Sequence, residues 1–310
     1  MKVNSKILIT GSNGLLGSAL TKKLEYHRYK NVLSPNSSKL NLLYLDKIRT
    51  YFKKNKPKYI FHLANKVYGI GGNAKSKFEL LNENLIINSN LFQVCSEFKI
   101  KKILAIGSAA IYSSKFETNI KEDKIFFGEP HNSEYFYGLS KRIMLRQLEV
   151  LNEQKKINYT YVIMNNLYGK NDNFDINKSH VVPSLIHKIY LAKKKNKDVK
   201  LWGTGKEKRS LMYSEDASQA LFLIMKKNIK KINVSSYSEH TIEELALLIK
   251  KKLLMKKKIF LLNKKHGVKR RKLNTKILSD KIKFSEAFSL EKGIEETINW
   301  FLKNYKKIRK

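Results

Sequence analysis

The chain holds 310 residues, 42% of them hydrophobic, which is enough for one large core or two modest ones, and it carries a formal net charge of +37. A single cysteine, Cys95, sits in an apolar run, which excludes a disulfide framework and points to a reducing compartment. The apolar part of "MKVNSKILIT" is too short for a secretory segment and no run approaches a membrane span, so a cytoplasmic protein with no membrane partner is expected. The lysines are spread along the whole chain, and no zinc-finger spacing, basic zipper or RNA-binding aromatic motif accompanies them. The charge therefore reads as solvated faces, with no nucleic-acid partner expected. A basic surface of this kind still attracts a phosphate-bearing ligand.

In chain order, Lys6 to Thr10 reads as a strand, "GSNGLLG" as a turn, and a helix runs from about Leu15 with Leu16, Leu20 and Leu24 on one face. "KNVLS" is a second strand, "LDKIRTYFKKN" a helix, and Tyr59 to Ala64 a buried strand. "FELLNENLIINSNLFQVCSEFKI" is a long helix, "KILAIGS" a strand, and another helix begins near Phe136. "YTYVIMNNLYG" reads as one further strand. This alternation predicts an α/β fold, a Rossmann-type doubly wound parallel sheet over residues 1–169. After Gly169 the pattern loosens, with "VVPSLIHKIYLAKK" and "HTIEELALLIKKKLL" as helices between short strands. Residues 170–310 are expected to form a smaller mixed α/β substrate domain, with some later segments returning to the first domain. The tail "NYKKIRK" reads as a frayed helix end.

Gly11, Gly14 and Gly17 stand between a strand and a helix, where a tight turn lets a dinucleotide pyrophosphate approach the backbone and the helix N-terminus. Such a string alone is weak, and its strand–turn–helix setting is what gives it weight. An NAD site usually ends its second strand on an acidic residue that holds the ribose 2′-hydroxyl. Here that region reads "VLSPNSSKLNLL", and Ser34, Asn36, Ser37, Ser38 and Lys39 suit a 2′-phosphate instead, so NADP(H) is the expected cofactor. Ser108 ends the "KILAIGS" strand. On its own it is either a strand-end turn or a hydroxyl that orients a carbonyl. Tyr137 and Lys141 lie four apart on one helix face. A phenol with an ordinary pKa of about 10 is a poor acid–base group at neutral pH, and a nearby ammonium brings it toward the working range.

Together the Gly turn, Ser108 and Tyr-x-x-x-Lys resemble the extended short-chain dehydrogenase/reductase family. The resemblance is closer still to its GDP-L-fucose synthase branch. It is carried by "HLANKVYGIGGN", "ENLIINSNLF", "GSAAIY", "IKEDKIFFG", "NNLYGKNDNF", "NKSHVVPSLIHK", "LWGTGKEKRSLMYSEDAS" and "SLEKGIEETINWF", in order over nearly the whole chain. The resemblance implies Tyr137 as proton donor to a C4 oxygen, Lys141 as its partner and ribose clamp, Ser108 as holder of the substrate carbonyl, and His180 beside both nicotinamide and substrate. It implies that Gly11, Ser12, Asn13, Gly14, Leu15, Leu16 and Gly17, then Ser37, Asn41 and Leu42, then Leu63, Ala64 and Lys66, line NADPH. Ile106 and Gly107, with Met164, Asn165, Asn166 and Leu167, complete that lining. Ala109, Asn166, Val181, Lys188, Trp202 and Arg209 are expected on the nucleotide-sugar side. No metal is implied. A homodimer is, built by the long helices after Gly72 and from Phe136.

The departures from the branch are specific. Its motif reads G-S-S-C-I-Y where this chain reads "GSAAIY", so Ala110 stands in place of the cysteine that epimerises C3 and C5 with the histidine. Phe136 and Met164 replace prolines, "VYGIGG" replaces a shorter Val-Gly-Gly-Ile, and Asn274 is expected in place of an acidic substrate-side residue. The expected activity is NADPH-dependent C4 reduction of a GDP-linked 4-keto-6-deoxy hexose or heptose for surface polysaccharide. Epimerisation would fall to a separate 3,5-epimerase. Two readings stay open beside it: a bifunctional epimerase–reductase in which another group replaces the thiol, and a nucleic-acid-binding protein on a retired dehydrogenase scaffold.

Overall fold

Six parallel strands organise the protein in a computed structural model that describes residues 1–262 and 268–308. The chain begins with β1 (Ile7–Thr10), α1 (Leu15–Tyr26), β2 (Val32–Leu33), α2 (Leu45–Asn55), β3 (Tyr59–His62), α3 (Ile70–Lys75) and α4 (Lys77–Glu97). It continues through β4 (Lys102–Ser108), α5 (Tyr135–Lys155), β5 (Asn158–Met164), β6 (Asn166–Tyr168), α6 (Val181–Lys194), β7 (Val199–Leu201), β8 (Lys208–Arg209) and β9 (Leu211–Tyr213). Then follow α7 (Ser214–Met225), β10 (Lys231–Val234), β11 (His240–Thr241), α8 (Ile242–Lys252), β12 (Ile259–Leu261), α9 (Lys276–Asp280) and α10 (Leu290–Asn304). The main sheet runs β10-β5-β4-β3-β1-β2. Its strand order reverses at β1, which places the open crevice between the carboxyl ends of β1 and β3, where a doubly wound sheet takes its ligand.

The strands are apolar on both faces because helices cover both. Phe52 of α2, Leu91 of α4 and Met144 and Leu148 of α5 pack on one side. Leu20 and Leu24 of α1 and Ala217 and Leu221 of α7 pack on the other. A third cluster, with Phe174, Ile186, Leu245 and Phe301, serves the later part of the chain. Among the described residues no helix is long and apolar enough to cross a membrane.

Several elements differ from expectation for identifiable reasons. The strand expected over Tyr59 to Ala64 stops at His62, because the Thr10 hydroxyl oxygen accepts from the N–H groups of Leu63 and Ala64, both at 3.2 Å. The strand expected in "YTYVIMNNLYG" breaks at Asn165. Its N–H donates to the Val234 carbonyl while its side chain bonds the Asn166 N–H and the Arg271 carbonyl, so β6 leaves the main sheet and pairs with β9. The tail expected to fray is seated instead: Tyr305 packs on Phe301 and Tyr190, and Ile308 is buried. Residues 309–310 lie outside the described residues.

A candidate active site at the switch point of the sheet

The turn after β1 is built to receive an anion. Gly11 has φ +72°, the left-handed region. A side chain at Gly17 would place its Cβ 2.2 Å from the Gly11 carbonyl oxygen, so the helix can sit this close to the turn only with glycine there. Gly14 caps α1 with no side-chain hydrogen bond, and the first turn carries no acidic residue. The first N–H groups of the helix therefore have neither a capping side chain nor a first-turn carboxylate, which leaves them suited to an anion. Ser12 donates to the Pro35 carbonyl at 3.0 Å, which ties this turn to the loop after β2, where Ser37, Ser38 and Lys39 are exposed. These features fit a dinucleotide phosphate run and a 2′-phosphate. The side chains of Leu16, Leu42 and Met164 point into the cores, so these three can meet a cofactor only through backbone atoms. Lys66 Nζ lies 3.2 Å from Glu83, and its backbone is held by Asn84.

Beneath the crevice lies a buried relay. The Thr10 hydroxyl, already accepting two N–H groups, donates to His62 Nδ1, and His62 Nε2–H donates to Asn88, both at 2.9 Å. Burial pushes His62 down to about 4, so the ring stays neutral and works as a strut for the Leu63–Ala64 wall.

Tyr137 stands beside Ser108 because Gly138 lets α5 approach the end of β4. A Cβ at position 138 would come within 2.5 Å of the Ala110 carbonyl oxygen. The Tyr137 hydroxyl donates to Asn65 at 3.3 Å and lies within hydrogen-bonding reach of the Ser108 side chain. Burial pushes the Tyr137 phenol up, with the Glu134 charge adding to the effect, so it holds its proton. Lys141 donates to the Ile106 carbonyl at 2.8 Å and lies 5.7 Å from the Tyr137 ring centre. Burial pushes its ammonium down to about 7. Ser108, Tyr137 and Lys141 are thus together. Ala110, 2% exposed, packs with Leu80, Tyr137, Val67 and Tyr68, so the place of the branch's thiol is apolar.

Three polar residues of this cleft escaped sequence reading: Asn65, Glu134 and Arg271. Glu134, one helical turn before Tyr137, accepts from Arg271 Nη1 at 2.9 Å. Burial opposes its charge and Arg271 outweighs it, holding the carboxyl below the usual range. Its field also reaches Arg209 and His180, which burial pushes down and Glu134 pulls back up. Arg271 is 9% exposed, and among the described residues its Nε and Nη2 are buried without hydrogen-bond partners. The position of Glu134 three residues before Tyr137 was the one signal available in the sequence. Arg271 had none, because it arrives from a distant loop.

Further out, Lys188 lies 5.3 Å from the ring centre of Trp202, which is 62% exposed. Val181 opens α6 directly after His180 and packs on the third core. Asn274, expected on the substrate side, instead bonds Asn119 and the Lys276 N–H, so no part in the cleft is assigned to it.

Residues 7–235 match the NAD dependent epimerase/dehydratase family. The chain is 35% identical to the GDP-L-colitose synthase of Yersinia pseudotuberculosis, over 96% of this chain and 98% of that one. A GDP-L-fucose synthetase from Naegleria fowleri, solved bound to NADP, superposes with a TM-score of 0.92 at 30% identity, covering 100% of this chain and 96% of that one. A GDP-mannoheptose C4 reductase from Campylobacter jejuni, solved with NADP bound, superposes with a TM-score of 0.87 at 26% identity, covering 97% and 99%. The turn, the Ser108–Tyr137–Lys141 set and these likenesses over the whole chain agree: this chain belongs to the NAD dependent epimerase/dehydratase family, in the branch of the GDP-L-fucose and GDP-L-colitose synthases.

Proposed function

We propose that the protein is an NADPH-dependent reductase of the C4 keto group of a GDP-linked 4-keto-6-deoxy sugar, made for surface polysaccharide, without 3,5-epimerase activity of its own. The observation that carries this reading is Ala110 in an apolar pocket beside an intact Ser108–Tyr137–Lys141 set. NADPH, held by the Gly11–Gly17 turn and the Ser37–Lys39 loop, supplies the hydride for C4 when bound. The protein's own part is proton handling and orientation. Ser108 and Asn65 fix the oxygen atoms around the Tyr137 hydroxyl. Tyr137, protonated because burial disfavours its phenolate, donates its proton to the C4 oxygen as that oxygen gains charge. The Lys141 ammonium then stabilises the phenolate until solvent reprotonates it. Lys188 and Trp202 suit a diphosphate and a base, and Arg209 adds a second cation. The segments after Gly169, apart from α7, β10 and α9, supply this nucleotide-sugar side. A homodimer through α4 and α5 belongs to the same reading. These helices pack together and leave Ile86 and Val150 exposed.

A second reading, the bifunctional enzyme, draws on one observation: the charge of the Glu134 carboxylate reaches His180, so a carboxylate stands in the field of the histidine where the branch has a thiol. One experiment decides between them. The protein is incubated with GDP-4-keto-6-deoxymannose and NADPH in D2O, and the product is read by NMR. NADPH oxidation with hydrogen retained at C3 and C5 supports the reductase. Deuterium entering C3 and C5 at the rate of turnover overturns it in favour of the bifunctional enzyme.

A further inference from the structure

Residues 269–274 form a segment stitched to several distant parts of the protein. The Lys269 carbonyl accepts from the Lys208 N–H at 3.1 Å and from Arg209 Nη1 at 3.4 Å. Arg270 grips the Glu239 carboxylate through Nε and Nη2. The Arg271 carbonyl accepts from the Asn165 side chain at 3.0 Å. The Lys272 N–H donates to the Glu117 carbonyl and the Asn274 N–H to the Ile120 carbonyl, both at 2.9 Å. With its backbone pinned on both sides, Arg271 aims its side chain at a fixed point. That point is Glu134, which accepts from Nη1 at 2.9 Å.

Glu134 is the residue from which α5 starts, and Tyr137 lies in the first turn that follows. A side chain at a helix start usually accepts from the helix's own N–H groups. The Glu134 carboxylate makes no such bond and is given to Arg271 instead. Behind Tyr137, α5 is anchored by Lys141 on the Ile106 carbonyl at 2.8 Å and by Arg142 on the Ile111 carbonyl at 2.9 Å. Ahead of Tyr137, the Glu134–Arg271 pair anchors it. That pair is a poor source of stability. Apolar residues of similar volume often replace a buried ion pair at no loss, and here the Arg271 Nε and Nη2 are buried without partners among the described residues. What the pair does supply is direction. A planar donor on a pinned backbone fixes where the carboxylate, and with it the start of α5, can lie.

We infer that Arg271 is a positioning residue for the proton transfer: through Glu134 it fixes the first turn of α5, and so the Tyr137 hydroxyl, from the same segment that holds Arg209. The inference rests on the proposed reductase activity and adds a residue to its machinery. The wild type, Arg271→Met, Arg271→Lys and Glu134→Gln are compared on GDP-4-keto-6-deoxymannose at saturating NADPH, in H2O and in D2O. The expected kcat of Arg271→Met falls by about 10–100-fold, the effect of a displacement of about 1 Å at a reacting group. Its KM for the sugar stays within roughly threefold of the wild type, and NADPH fluorescence gives wild-type affinity. Its solvent isotope effect on kcat rises, because proton donation from a displaced Tyr137 becomes the slow step. Arg271→Lys, which keeps a cation for Glu134, recovers part of kcat. Glu134→Gln, whose amide oxygen still accepts, loses less than Arg271→Met. A merely structural role lowers the amount of folded enzyme and leaves the isotope effect, a ratio, where it was. If Arg271→Met does not fold, Arg271→Lys and Glu134→Gln decide by the same ratio. A wild-type isotope effect in every folded variant overturns the inference and leaves the reductase reading intact. So does a raised KM for the sugar with kcat unchanged, which makes Arg271 a binding residue. Failure of the wild type to oxidise NADPH with the sugar overturns the reductase reading and this inference with it.

Discussion

Lys141 carries a pH signature that can be read without substrate. Burial pushes its ammonium down to about 7, so the folded protein binds this proton more weakly than the unfolded chain, where the pKa is about 10.4. Such a group costs stability at low pH, and the cost is relieved as pH rises from about 7 toward about 10. The wild type should therefore gain thermal stability relative to Lys141→Met between pH 7 and pH 9, and a Tm difference that stays constant over that range would contradict the assignment. Lys102, pushed down to about 8 where its Nζ donates to the carbonyls of Met225 and Lys227, is present in both proteins and cancels. Tyr137→Phe keeps the ring and removes the proton. Reduction should fall by about 10²–10⁴-fold while NADPH fluorescence still reports binding. Ala110→Cys puts a thiol between Leu80 and Tyr137. The expected result is deuterium at C3 or C5 in D2O where the wild type shows none, and its absence would mean that the alanine is not the deciding change. At this scale Ser108, Tyr137 and Lys141 were legible because their spacing is local or their setting is a strand end. Glu134 and Arg271 were not, because the pair joins residues 137 positions apart.

The elements were legible where one periodicity ran unbroken, as in α1, α2 and β4. They were misread where a side chain intercepted the backbone. Asn165 splits β5 from β6, and Thr10 ends β3, through hydrogen bonds that no apolar pattern announces. The long helix expected from Phe78 is α4, and the short helix α3 that precedes it, ending at Ser76, was not expected from the sequence. The turn between β1 and α1 yields a test at this scale. Gly17→Ala puts a methyl group where only 2.2 Å separates it from the Gly11 carbonyl oxygen, so α1 must retreat from the turn. The expected cost is about 1–3 kcal/mol in denaturant unfolding. NADPH affinity should drop by more than tenfold, since the N–H groups of α1 leave the pyrophosphate position. Full NADPH affinity in this variant would show that the turn does not hold the cofactor.

At the scale of the whole molecule, the chain does not finish one body before starting the next. β10 pairs with β5 along Lys231 to Val234, and α7 packs on α1, so the sheet and one of its two covering layers are completed from the later part of the chain. Residues 1–169 expressed alone should expose the α7-covered face and the edge of β5, and so should unfold without cooperativity or aggregate. A cooperative transition for that fragment, followed by circular dichroism, would contradict this. The sequence by itself determined the α/β alternation, the phosphate-binding turn, the Tyr137–Lys141 spacing and the missing thiol at Ala110, because each is written in neighbouring residues or in a short motif. Only the tertiary structure decided that β10 and α7 are the segments that return, and that Glu134 holds Arg271. These are long-range pairings, set by which surfaces meet when the cores close, and no local pattern encodes them.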